Sequence, residues 1–346
     1  MLKWRLLLGA FIIVALVGLC IVDARADCPG VKPVGLPGAW LMPVLLALTV
    51  LATQEVLRLA AAAGIRPIAW TVYAGNLLLV VAQWLPAILL YESSRSSGPE
   101  LGFFEFCLVG ARSPVWALAV GTLLIFVGEM HRYEEPGGAL ARIAVGIFTL
   151  VYVGLMCAFA VQMRLFWGVG ALAAWIICVK MGDIGAYTVG RLFGRTKMSP
   201  TISPGKTVEG ALGAMLFALA GSWICFHGIS AISIPLFGWV GFHGINLPGI
   251  IGWMPWPGIV QLAPPYVEGM PGQPLGWVIF GLLMGSVGMM GDLAESLLKR
   301  DVGCKDSSAW MPGFGGVLDI LDSLLLSAPI AWLCWLLGIV GAGGGS

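Results

Sequence analysis

Apolar residues fall along the chain in long runs broken by short polar stretches. A helix crossing the hydrocarbon core of a bilayer needs about 20 mostly apolar residues. Nine runs approach that length, near 6–22, 39–57, 68–90, 114–130, 140–161, 165–182, 208–228, 275–291 and 324–341. They are rich in Gly and Ala, which lets helix backbones approach closely where lipid gives no hydrophobic drive for association. The pattern predicts an all-α polytopic membrane protein with about nine transmembrane helices. No internal repeat is visible, so the inverted-repeat signature of many transporters is missing.

The polar stretches set an orientation. With the N-terminus in the cytoplasm, the inside segments collect Lys3, Arg5, Arg58, Arg66, Arg132, Arg142, Lys180, Arg191, Arg195, Lys197, Lys206, Lys299, Arg300 and Lys305. The outside segments hold Arg25, Lys32, Arg95, Arg112 and Arg164. Fourteen of the 19 basic residues then lie inside, as the positive-inside rule asks. The run Leu6–Val22 follows Lys3 and Arg5 and precedes Ala24-Arg25-Ala26. It reads as a retained anchor, the alternative being a cleaved signal peptide. Residues 229–274 contain no Lys or Arg and a single acid, Glu268. Their Pro, Gly and Trp suit interfacial loops on the outer face. The final Gly-Gly-Gly-Ser reads as a flexible tail.

Composition narrows the class. Of 346 residues 59% are hydrophobic and 11% charged, against roughly 25% charged in soluble domains. Mean hydropathy is +0.93. A water-soluble globule could not hide this much apolar surface. A formal net charge of +1 gives no global attraction for nucleic acid. The eight cysteines include no CxxC pair and lie mostly in apolar runs, as small buried hydrophobes do.

Charge is concentrated in two inside loops, and ionisable residues at the ends of membrane helices mark function by default. The denser cluster is GDLAESLLKRDVGCKDSSAWMPGFGGVLDILDS, from Gly291 to Ser323. On a continuing helix Asp292, Glu295, Ser296 and Lys299 share one face. Asp319 and Asp322 are again three apart. Two such carboxylate pairs joined by a Gly-rich loop suit one divalent ion, since Mg²⁺ takes a few carboxylates and completes its shell with phosphate oxygens. Lys299, Arg300 and Lys305 supply positive charge for a phosphate. The second cluster, KMGDIGAYTVGRLFGRTKMSPTISPGKTVEG, places Lys180 one turn from Asp183. Ser203-Pro204-Gly205-Lys206-Thr207 then opens a helix with Glu209 in its first turn, offering N–H groups and a lysine to an anion. It is not a Walker A loop, because Pro200 stands where that motif needs Gly.

Plainer readings stand beside these. A helix salt bridge is an alternative for Asp292 with Lys299 alone, and Gly313, Gly315 and Gly316 read equally as a simple turn. Glu55 with Arg58 reads as a surface pair. His131, His227 and His243 lie outside both clusters, which argues against histidine catalysis.

The stretch Ser296-x-x-Lys299-Arg300-x4-Lys305-Asp306, followed by Pro312-Gly313-x-Gly315-Gly316-x-x-Asp319-x-x-Asp322, resembles the signature of the phosphatidate cytidylyltransferase (CDP-diacylglycerol synthase) family. Asp183-x-Gly185-Ala186-Tyr187 and Ser203-Pro204-x-Lys206-Thr207-x-Glu209-Gly210 are similar to that family's second segment. Two positions depart from it: Phe314 replaces the usual His, and Ile320 follows Asp319 where the family has Arg. All the carboxylates and lysines remain.

The resemblance implies a reaction of CTP with phosphatidate that gives CDP-diacylglycerol and pyrophosphate, for phospholipid biosynthesis. A phosphomonoester with a second pKa of about 6 is largely dianionic near neutral pH, so its oxygen needs no general base. By resemblance, Asp292, Asp319 and Asp322 are ligands of Mg²⁺, with a second cation compatible, and Lys299 joins them in catalysis. Lys206, Arg300 and Lys305 grip phosphates. Ser203, Asp183, Asp306 and Glu209 are substrate-binding candidates. Residues 1–165 form N-terminal membrane helices, 166–341 a catalytic membrane domain with cytoplasmic motif loops, and 342–346 the tail. A homodimer in the inner membrane, its active site facing the cytoplasm, completes the expectation, with membrane lipid and no nucleic acid as partner. Two alternatives remain: a CTP-dependent transferase acting on another phosphorylated lipid, or a non-catalytic transporter or lipid-binding protein.

Overall fold

The computed structural model describes residues 14–23, 38–96, 114–228, 275–305, 307–308 and 315–340, with side chains of 86–96 left out. Asp306, Phe314 and the 229–274 segment lie outside the described residues. Among the described residues eight helical elements and one hairpin follow in order. They are α1 (Val14–Asp23), α2 (Met42–Ala62), α3 (Ala69–Ser96), α4 (Pro114–Arg132) and α5 (Ala139–Phe193), then β1 (Lys197–Ser199) and β2 (Ser203–Thr207), then α6 (Val208–His227), α7 (Gly276–Asp301) and α8 (Val317–Leu336). Six of them, α2 and α4 to α8, are long and apolar enough to cross a membrane. The chain is therefore a multi-pass α-helical membrane protein.

Helix α5 breaks at a different place from its sequence pattern. Runs 140–161 and 165–182 read as two spans, and the structure likewise holds two helices within the 55-residue stretch Ala139–Phe193, meeting at a kink at Gly168 rather than near 162–164. At 1.5 Å per residue the unbroken stretch would be about 80 Å, far more than a bilayer's ~30 Å hydrocarbon core. Two irregularities divide it: a π-helical turn at Leu150–Leu155, and Gly168 at φ 80° and ψ −176°, outside helical space.

The chain divides into two compact units. The first comprises residues 1–20, 35–162 and 298–321. Its core is Val72, Leu79, Ala82, Ala117, Ile125 and Leu150. A Cβ on Gly75 would stand 3.3 Å from the Gly121 Cα, so α3 and α4 touch backbone to backbone. Some polar side chains pair with one another inside this unit. Asn76 Nδ2 donates to Thr53 Oγ1 at 2.7 Å, and Gln162 Nε2 to Gln83 Oε1 at 2.7 Å. Such bonds hold membrane helices together by amounts near 1 kcal/mol each.

The second unit comprises residues 21–34, 163–297 and 322–346. Small residues again set its spacing. A Cβ on Gly281 of α7 would reach within 2.8 Å of Leu219 Cα on α6, and one on Gly285 within 2.9 Å of the Ala214 carbonyl. Aromatic rings fill another part of the unit, with Trp167 6.1 Å from Trp332 and Phe226 5.7 Å from Phe280 between centroids. Arg164 is buried and donates to the buried Asp23 carboxylate. A buried charge of this kind needs its partner.

The hairpin is the one departure from an all-helical fold among the described residues. The Ser203–Thr207 stretch, expected as a loop, pairs as antiparallel strand β2 with β1. Thr207 is extended and its Oγ1 accepts from Gly210 N at 3.1 Å, which makes it the N-cap of α6. The Glu209 carboxylate accepts from the backbone N–H groups of Arg195 and Thr196, each at 3.1 Å. Cap and carboxylate together fix the hairpin to the start of α6.

Candidate active site

Two carboxylate–lysine groups emerge, one in each unit. The group in the second unit is built from α5, β2, α7 and α8. Lys206 Nζ on β2 reaches Asp292 Oδ2 on α7 at 2.8 Å. On α5, Lys180 Nζ donates to Asp183 Oδ2 at 2.9 Å and to Ser323 Oγ at 2.8 Å. Ser323 Oγ in turn lies 3.0 Å from Asp183 Oδ2. Asp322, buried on α8, interacts electrostatically with Asp292 and Asp183, which repel its charge, and with Lys180, which attracts it. Gly291 permits this arrangement, because a Cβ there would collide with the Asp322 carbonyl. The sequence alternative of an Asp292–Lys299 salt bridge is thereby corrected, since each residue is engaged elsewhere.

The group in the first unit gathers around the start of α8. Lys299 Nζ donates to Asp319 Oδ1 at 2.5 Å. The other oxygen, Oδ2, accepts from Gly316 N at 2.7 Å, Ser307 Oγ at 2.8 Å and Ser307 N at 3.2 Å. Glu55 enters from α2. Its Oε1 accepts from Val317 N at 3.0 Å, and its Oε2 from Leu318 N at 2.7 Å and Ser307 Oγ at 2.8 Å. The reading of Glu55 as half of a surface pair with Arg58 is thus overturned. Glu55 is 3% exposed, and the unsatisfied first-turn amides of α8 hold it there. An acid alone in an apolar run was the available signal.

Other expected residues take plainer places. Lys299 and Arg300 end α7, which stops in a Schellman turn at Gly303, φ +71°, with Cys304 N bonded to the Lys299 carbonyl at 2.8 Å. Arg300 and Lys305 are exposed around that turn, where Arg300 donates to the Cys304 carbonyl. Ser203 stands at the start of β2, half-buried. Glu209 serves the hairpin, and Asp306 lies outside the described residues.

Of the three expected magnesium ligands, Asp292 and Asp322 interact electrostatically in the second unit. Asp319 is engaged by Lys299, Ser307 and Gly316 in the first. Among the described residues no three His, Cys, Asp or Glu side chains form a group able to hold a metal ion. That donor set fits magnesium bound through one or two carboxylates with substrate phosphates completing the shell. It does not fit an all-protein cage.

Membrane helices that carry paired carboxylates and lysines, with a basic turn beside them, define a class of integral membrane protein suited to phosphate chemistry. The family comparison narrows this: the profile of the Cytidylyltransferase family matches residues 30–337, and the chain belongs to that family. It is 34% identical over 200 residues to a phosphatidate cytidylyltransferase of Mycobacterium bovis, covering 58% of this chain and 52% of that protein. Against the phosphatidate cytidylyltransferase of Synechocystis it is 27% identical over 328 residues, covering 85% of this chain and 88% of the relative. The Chlamydia pneumoniae phosphatidate cytidylyltransferase is 32% identical over 204 residues, covering 57% and 55%. The chain thus spans about half the length of several relatives it matches and most of another.

Proposed function

We propose that this protein is a phosphatidate cytidylyltransferase, making CDP-diacylglycerol and pyrophosphate from CTP and phosphatidate. The observation that carries the reading is the family match across residues 30–337, which includes both carboxylate–lysine groups. The relatives' names supply the substrates. We place the protein in the inner membrane as a homodimer, with both groups facing the cytoplasm, from which CTP comes.

A phosphate oxygen of phosphatidate attacks the α-phosphorus of CTP. A new P–O bond forms as the bond to the β-phosphate bridging oxygen breaks, and pyrophosphate leaves with that electron pair. No proton must be removed from the dianionic nucleophile. The difficulty is charge, because one polyanion must approach another in line. Lys206, Lys299, Arg300 and Lys305 bind and orient the phosphates, with Lys180 close to Asp183 and Asp322. Magnesium, when bound, supplies further neutralisation of the triphosphate, and Asp292 and Asp322 would hold it. Asp319 accepts from Lys299 and positions that ammonium.

Phe314 and Ile320 stand where the family carries an imidazole and a guanidinium. They favour a second reading, a CTP-dependent transferase for another phosphorylated lipid. Pyrophosphate release by the purified protein in detergent decides between them. The account expects release that requires both CTP and phosphatidate, stops on chelation of divalent ions, and falls at least about 100-fold in Asp292→Asn. Release with CTP and a different phosphorylated lipid, but none with phosphatidate, would replace the first reading by the second.

A further inference from the structure

Glu55 is a buried carboxylate that the transferase reading leaves without a task. It sits on α2 among the buried Ala52, Thr53, Val56 and Leu59. Helix N-termini are ordinarily capped by a side chain just before them in sequence. Here two first-turn amides of α8, Val317 N and Leu318 N, are taken by a carboxylate some 260 positions earlier, at separations of 262 and 263 residues. The local acid, Asp319, reaches back to Gly316 N as the third residue of a capping box does. Two carboxylates therefore share one helix start.

Ser307 joins them. Its Oγ lies 2.8 Å from Glu55 Oε2 and 2.8 Å from Asp319 Oδ2. A serine hydroxyl has one proton and can donate to one oxygen at a time. When it donates to Glu55, Asp319 Oδ2 still has Gly316 N and Ser307 N, and Asp319 Oδ1 keeps Lys299. Glu55 thus fixes the backbone on which Asp319 stands and the serine beside its carboxylate. The double glycine is the counterpart of this arrangement. A Cβ on Gly316 would collide with Ser307 Oγ and Glu55 Oε2, and one on Gly315, at φ +82°, with Asp319 Oδ2.

We propose that Glu55, acting through Ser307 and the Gly316–Leu318 amides, is a positioning residue that aims the Asp319–Lys299 pair at the reacting phosphates. This rests on the transferase reading above. A cap that served stability alone would change how much protein folds, and leave the turnover of each folded molecule intact. A positioning role changes turnover and spares ground-state binding, because a small misplacement at the reacting centre costs far more in the transition state.

Glu55→Gln, Ser307→Ala and the double variant are purified in detergent, and the monodisperse fraction of each is assayed for kcat and for KM against CTP. The expected result is a fall in kcat of about tenfold or more in each single variant, with KM within about twofold. The double variant falls no further than the more damaged single one, because both act through one chain. Should Glu55→Gln not fold, Ser307→Ala alone carries the same expectation. Wild-type kcat in the folded variants, or losses that multiply independently, would overturn the inference. A wild type that releases no pyrophosphate from CTP and phosphatidate would sink the transferase reading itself, an outcome the wild-type control separates from the first.

Discussion

At the scale of single residues, Gly316 shows how chemistry dictates composition. The first amides of α8 are divided between Glu55 and Asp319, and the space beside the Gly316 Cα is filled by Glu55 and Ser307 oxygens. An added methyl must push a charged group off its hydrogen bonds. Gly316→Ala is expected to lower stability by about 1–3 kcal/mol, as overpacking does, seen as a lower Tm in detergent. An unchanged Tm would mean that the carboxylates yield freely. The acids and lysines of the loops were legible in the sequence because charge is scarce in this chain and gathers in two places. Glu55 was not. Its neighbour Arg58 offered an ordinary i, i+3 partner that masked the signal of a lone acid in an apolar run, and its real partners are backbone amides on another helix, which the sequence does not name. Ser307 was missed for the same reason: a serine among Asp306 and Ser308 announces nothing until the fold places it between two carboxylates.

At the scale of elements, the apolar runs located the helices well. Where the expected spans lie within the described residues they fall on helices, and six of those helices have the length and composition to cross a membrane. What hydropathy misplaced is one boundary. The helix runs on through Gln162–Arg164, where Gln162 pairs with Gln83 and Arg164 with Asp23, and breaks at Gly168. Hydropathy could not express the hairpin, whose Ser-Pro-Gly-Lys-Thr composition is that of a turn. Pairing with Lys197–Ser199 makes it a strand and delivers Lys206 to Asp292. The junction depends on the Thr207 cap. Thr207→Ala is expected to cost about 1 kcal/mol, and Thr207→Ser to restore most of it, measured as Tm against the wild type. Equal stability of the alanine and serine variants would show that the Glu209 tie alone holds the hairpin.

At the scale of the whole molecule, scarcity of charge decides how the sequence is to be read. A chain with 11% charged residues gathers its densest mixed-charge stretches at 180–209 and 291–323, in loops and helix ends. The match to the cytidylyltransferase family, over residues 30–337, includes those segments. The central claim is that this protein moves a nucleotidyl group onto a lipid phosphate. The most direct test supplies phosphatidate with CTP labelled at either the α- or the γ-phosphate and counts the label in the lipid extract. The account predicts that the α-label enters the lipid as CDP-diacylglycerol while the γ-label stays in the water phase as pyrophosphate. Entry of the γ-label into lipid, or of neither label, would contradict it.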